Sequence, residues 1–142
     1  MKNRPEPTCV AVRISPGPYA LVVVSGELDL VGVPVLEAAV ANLELSSVRA
    51  VVLDLRRLAF IDAIGLHAVV DLHSACLKAA TGLMIVPGPR NVQRLFELTG
   101  ADRRLPFAPD HGPAGGATGT ASEQMQALLW VSRKANSDPR PE

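Results

Sequence analysis

Residues 51–70 read VVLDLRRLAFIDAIGLHAVV, and the change of period inside this stretch decides the fold. Val51 to Leu55 make a short apolar run of the kind a buried strand needs, whereas from Ala63 onward the apolar residues recur at helical spacing. The chain therefore turns sharply within FIDAIGLH, residues 60–67, and a helix of about five turns is expected through AIGLHAVVDLHSACLKAA, residues 63–80. Projected at about 100° per residue, that helix places Leu66, Val69, Val70, His73, Leu77 and Ala80 on one side and His67, Asp71, Ser74 and Lys78 on the other. One face should pack on a sheet.

Working outward, CVAVRI (9–14) alternates with Val10, Val12 and Ile14 on one face, and SPGP (15–18) turns it into YALVVVSGEL (19–28). This is the pattern of a hairpin whose first strand is an edge and whose second, apolar nearly throughout, is covered on both sides. In VGVPVLEAAVANLEL (31–45), Val35, Leu36, Ala39, Val40 and Leu43 recur at helical spacing, Pro34 suits a first turn, and the helix should end near Leu45. VRAVVLDL (48–55) reads as a short buried strand, TGLMIVPG (81–88) as a Gly stop and another strand, RNVQRLFELTG (90–100) as a short helix closed by Gly100, and RLPF (104–107) as a candidate last strand. Strands alternating with helices imply an α/β fold with a mixed, mostly parallel sheet of four to five strands.

Residues 108–121 are rich in Pro and Gly and sustain neither period, so a flexible segment is expected there. Beyond it, SEQMQALLWVSRKA (122–135) offers Ser122 as an N-cap and Met125, Leu128, Leu129 and Ser132 on one face, a helix able to pack back on the domain. The expected organisation is a tail at 1–7, a domain at 8–107, the flexible segment at 108–121, the helix at 122–135 and a tail at 136–142.

The bulk properties narrow the function. With 14 basic and 14 acidic side chains among 142 residues, no positive field draws phosphates, so nucleic acid is not an expected partner. MKNRPEPTCVAV at the start lacks the apolar run of a secretory signal, and no later run reaches the roughly 18 apolar residues of a membrane span, so a cytoplasmic protein without membrane insertion is expected. Two thiols, Cys9 and Cys76, match no zinc spacing and read as small hydrophobes, a redox pair being the lesser reading. No set of three or four metal ligands assembles, and neither a metal nor another cofactor is expected. His67 and Asp71, one turn apart, lack an activated nucleophile beside them and read as a solvated pair, so no enzyme is inferred. GPAGGATGT has no Lys at the P-loop position.

At the corner itself, Asp62 can cap the helix through the backbone N–H groups of Ile64 or Gly65. Gly65 answers either to a close backbone approach or to an unusual dihedral. Ile64, β-branched in a first helical turn, is either tucked against the neighbouring loop or touched by a partner.

Taken in order, GELDL, PVLEAAV, VVLDLRRLAFIDAIGLHAVV, a Gly-led strand and RNVQRLFELTGADRRL resemble STAS domains of the anti-sigma factor antagonist class, from about Val10 to Phe107, and SEQMQALL is similar to the family's closing helix. The resemblance implies a binding protein that captures an anti-sigma factor, usually a kinase, and so releases a sigma factor for transcription. It implies further that the corner, which in the family commonly reads Asp-Ser-Ser-Gly or Asp-Ser-Thr-Gly, carries the phosphate-accepting hydroxyl just before the Gly. Ile64 holds that place here, and neither it nor Ala63 can accept phosphate.

Carried over by position, the partner surface comprises Asp62, Ala63, Ile64 and Gly65, His67 at the exposed start of the helix, and the neighbourhood of Asp29, which could equally cap the helix after it. The expected partner is a kinase-like anti-sigma factor, bound by a monomer or weak dimer; without the hydroxyl the protein binds constitutively, responds to another signal, or no longer serves a kinase partner at all. The alternative is a STAS scaffold or accessory subunit of a membrane transporter or signalling complex.

Overall fold

The computed structural model describes residues 7–15 and 18–108. Along the chain run β1 (Cys9–Ser15), β2 (Tyr19–Leu28), α1 (Val33–Leu43), β3 (Ala50–Ile61), α2 (Ala63–Lys78), β4 (Gly82–Val86) and α3 (Arg90–Thr99), with 3₁₀ turns at Leu45–Ser47 and Ala101–Arg103. The sheet order is β1-β2-β3-β4. β1 pairs antiparallel with β2, whereas β2–β3 and β3–β4 are parallel, so the expected hairpin entry into a mixed sheet is present.

Sheet alternation sorts the core into two halves. Ala20, Val22 and Val24 of β2, Val51, Leu53 and Leu55 of β3 and Ile85 of β4 face the helices, where they pack with Leu36 of α1, Leu66, Val69 and Leu72 of α2 and Val92 and Phe96 of α3. Leu21, Ala50, Val52 and Met84 point the other way and form a second buried cluster with Ala108. β2 is covered on both faces, as its unbroken apolar sequence requires.

Several boundaries differ from the sequence reading. β3 is not a short strand ending near Leu55: it continues for 12 residues, because β2 keeps pairing with it to Leu28–Ile61 after β4 has stopped at Asp54–Val86. α1 stops at Leu43, where Glu44 takes a left-handed φ of 57°, and Val35 lies on its exposed side. The buried residues of α2 are Gly65, Leu66, Ala68, Val69, Leu72 and Cys76: Leu66 and Val69 are inside as expected, but the face is turned so that Leu77 and Ala80, expected inside, are exposed and His73 is half-buried. That rotation follows from Gly65, whose missing side chain lets the first turn of α2 sit against β2. Ala80 (φ 56°), rather than Gly82, takes the left-handed position after α2, while Gly100 (φ 78°) closes α3 as its sequence suggests. RLPF contributes only a parallel bridge between Phe107 and Ile85, with the Phe107 ring edge-on to Phe96 at 5.1 Å, so the sheet has four strands among the described residues. The expected flexible segment beyond Ala108, the helix at 122–135, and residues 1–6 and 136–142 lie outside the described residues.

Candidate functional site

Parallel pairing brings the C-terminal ends of β2 and β3 side by side, with Glu27 opposite Phe60 and Leu28 opposite Ile61. The loops that leave these strands, Asp29–Gly32 into α1 and Asp62 into α2, therefore open at the same end of the sheet. Each begins with a carboxylate that accepts backbone N–H bonds. Asp29 Oδ1 accepts from Val31 (3.1 Å) and Gly32 (3.0 Å), and Asp62 Oδ1 accepts from Gly65 (3.0 Å). Asp62 is thus the N-cap of α2, with the extended backbone that a cap adopts. Asp29 fastens the turn before α1, whose cap position belongs to Gly32.

Gly65 owes its place to close approach. A Cβ there would lie 2.1 Å from the carbonyl oxygen of Leu28, so only a glycine lets the first turn of α2 rest on the end of β2. The same contact fixes what the corner presents. With Gly65 and Leu66 turned inward, Ala63, Ile64 and His67 are left on the outer side of the turn, all exposed. Ile64 is 43% exposed, which answers the question of whether it is tucked beneath a loop.

Ile64 has apolar company that the sequence reading left out. Leu30 (68% exposed) and Val31 (81%) lie in the loop after β2, Val35 in the first turn of α1 and Phe60 (44%) near the end of β3, all at this end of the sheet. The one available signal was an apolar pair, Leu30-Val31, between Asp29 and Gly32, where a turn has no core to fill. Asn91 Nδ2 donates to the Ala59 carbonyl at 2.9 Å and ties the start of α3 to the extended part of β3, so a regular frame holds the platform.

His67 and Asp71 are both exposed on the outer side of α2, and among the described residues no three His, Cys, Asp or Glu side chains converge as metal ligands would. Nor do the cysteines meet. Cys9 is exposed on β1 opposite Ser25, on the sheet face away from the helices, whereas Cys76 is buried in α2 within the helix-side core. Burial pushes the Cys76 thiol up from 9.0 to about 11, the opposite of what a reactive thiolate needs. Among the described residues no helix is long and apolar enough to cross a membrane.

The STAS domain family matches residues 10–114. This chain belongs to the STAS family. An anti-sigma factor antagonist from Mycobacterium paratuberculosis has a similar structure, with a TM-score of 0.68 at 26% identity over 93% of this chain and 99% of the other. The anti-sigma factor antagonist SpoIIAA in its unphosphorylated form superposes with a TM-score of 0.60 at 17% identity, over 72% of this chain and 90% of its own. Its phosphorylated form, described as a Bacillus cell fate determinant, gives 0.56 at 16%, over 72% and 94%. These last two share the fold. Among curated protein sequences, none matches this chain.

Proposed function

We propose that this STAS protein is an anti-sigma factor antagonist: it binds a kinase-like anti-sigma factor through the tip of α2 and the adjoining loop after β2, and so releases a sigma factor. Asp62, Ala63, Ile64, Gly65 and His67 form one half of the contact, and the loop fastened by Asp29 forms the other. The observation that carries this reading is the exposed Ile64 at the tip of a capped helix, at the same end of the sheet as the exposed Leu30, Val31 and Phe60. Apolar side chains held in water on a regular frame gain free energy when a complementary surface covers them.

The corner also defines how the complex is controlled. In the family a phosphate at the residue before the Gly places a charge of about −2 in the contact. Ile64 has no oxygen to carry it, so the protein stays competent to bind whatever the kinase activity of its partner. This is a binding activity without catalysis, exercised in the cytoplasm.

Affinity purification of the full chain from native cells tests the reading, and recovery of a soluble kinase-like anti-sigma factor is the expected outcome. Co-purification of an integral membrane transporter in its place would transfer the protein to the accessory-subunit class. Incubating the pair with ATP should leave residues 60–67 unmodified, whereas Ile64→Ser should take up phosphate if the partner retains its transferase activity.

A further inference from the structure

The loop after β2 has no core of its own. Leu30 and Val31 are 68% and 81% exposed, so burial does not hold Asp29–Gly32 in shape. Polar fastenings hold it instead. From within, Asp29 Oδ1 accepts the N–H groups of Val31 and Gly32, and the Asp29 carbonyl accepts the Val33 N–H at 2.8 Å. From without, the chain just ahead of β1 passes the base of the loop, where Thr8 Oγ1 donates to the Glu27 carbonyl.

This outer fastening stands where the pairing of the sheet gives out. β1 pairs with β2 only as far as Cys9–Ser25, and Pro7, having no N–H, cannot donate to carry the ladder on. The register of β2 with β3 also shifts between Gly26 and Glu27. A side-chain donor takes over there, and glycines make room for it. A Cβ on Gly26 would strike the Pro7 carbonyl, and one on Gly32 would strike Thr8 Oγ1 and the Glu27 carbonyl together. Thr8 Oγ1 thus lies between Glu27, which leads into the loop, and Gly32, which ends it.

We infer that Thr8 is a positioning residue for partner binding: its hydroxyl pins Glu27 and, seated on Gly32, sets the Leu30–Val31 loop in the shape that the anti-sigma factor meets. This role rests on the binding function proposed above, and it acts on the contact through the loop. A loop released to sample other shapes lowers affinity by the fraction of time it spends in the competent one.

Thr8→Val keeps the shape of the side chain and removes the donor, whereas Thr8→Ser keeps the donor; Thr8 is half-buried, so neither opens the core. In the full chain without partner, backbone order parameters of Val31 and Gly32 should fall from about 0.85 to below about 0.6 in Thr8→Val and hold in Thr8→Ser. Unchanged values in Thr8→Val overturn the inference. The dissociation constant for the anti-sigma factor should rise about tenfold in Thr8→Val, the competent shape then being populated about one-tenth of the time, and by less than about twofold in Thr8→Ser. Because Thr8 acts through the loop, Thr8→Val should cost nothing further once Leu30→Ala and Val31→Ala are present, whereas beside Ile64→Ala the full tenfold should persist. Equal costs in the two backgrounds refute the assignment, as a merely structural hydroxyl would give. A wild type that binds no anti-sigma factor refutes the proposed function and the role of Thr8 in that contact, while the order parameters still decide whether the hydroxyl holds the loop.

Discussion

Ile64 and Gly65 are neighbours with opposite duties, and substituting each should separate binding from stability. Ile64 is half-exposed, so Ile64→Asp removes no core contact and places a carboxylate at a helix N-terminus, where the dipole welcomes it. Affinity for the anti-sigma factor should fall by about 30-fold, the size of one central contact of about 2 kcal/mol, while stability stays within about 0.5 kcal/mol. Calorimetric titration and a melting curve on the same sample decide it. Gly65→Ala acts the other way, because its Cβ would meet the Leu28 carbonyl and force α2 off β2. A loss of about 2 kcal/mol in urea unfolding is expected. Cys76, 1% exposed, gives a pH signature instead. Its thiol ionises near pH 11 in the folded chain and near 9.0 when unfolded, so between those values the unfolded state binds fewer protons. Stability should then fall as pH rises from about 9 to 11, by about 2–3 kcal/mol more than in Cys76→Ala, and below about pH 8 the two proteins should differ only by a constant offset from the lost core packing. The Asp62 cap was legible in the sequence because a cap is a bond between near neighbours. For Gly65 close approach was one of two readings left open, since the Leu28 carbonyl that selects it lies far away along the chain.

At the scale of the elements, β3 carries the consequences that the sequence reading missed. Its first half is a central strand between β2 and β4, and its second half pairs with β2 alone, which makes room for α3 to tie in through Asn91. The charged pair Arg56-Arg57 made a strand ending at Leu55 the natural reading. Pairing with β2 keeps the chain extended past that point, across a register shift at which Asp54, buried on the sheet face away from the helices, accepts Arg56 Nε at 3.0 Å, Arg56 Nη2 at 2.7 Å and the Arg56 backbone N–H at 3.0 Å. The hydrogen bonds to Asp54 hold the Arg56 guanidinium above its ordinary pKa. Arg56→Met leaves that buried carboxylate without its charged partner and should cost about 2 kcal/mol, read by urea unfolding. Helix rotation shows the same limit of local reading. Leu66 and Val69 belong both to the expected stripe through His73 and Leu77 and to the true one through Ala68, Leu72 and Cys76, and the close contact of Gly65 with β2 goes with the second. Element order, the hairpin and the edge position of β1 were all legible, because each rests on a change of period or a turn sequence. The exposed Leu30, Val31 and Phe60 were not, because apolar residues look alike in sequence whether or not a core awaits them.

For the molecule as a whole, charge and exposure together define the kind of association it makes. The chain balances 14 basic against 14 acidic side chains, and both carboxylates at the candidate contact already accept backbone N–H bonds from their own loops. Those bonds already engage one oxygen of each carboxylate. What is offered is apolar: Leu30, Val31, Val35, Phe60 and Ile64 at one end of a single sheet. An interface steered by charge loses affinity as salt rises, because screening at about 0.5 M reduces the Debye length to a few ångströms, whereas burial of apolar surface does not weaken. The dissociation constant for the anti-sigma factor should therefore change by less than about threefold between 50 mM and 500 mM sodium chloride, and heat-capacity data should show a negative change on binding. With no hydroxyl at position 64, adding ATP should not shorten the lifetime of the complex either. Ile64→Ser changes both properties at once: it removes part of the apolar contact and supplies an acceptor, so ATP should then release the partner. A wild-type complex that dissolves with salt, or on ATP, would mean that charge or phosphate governs this surface after all.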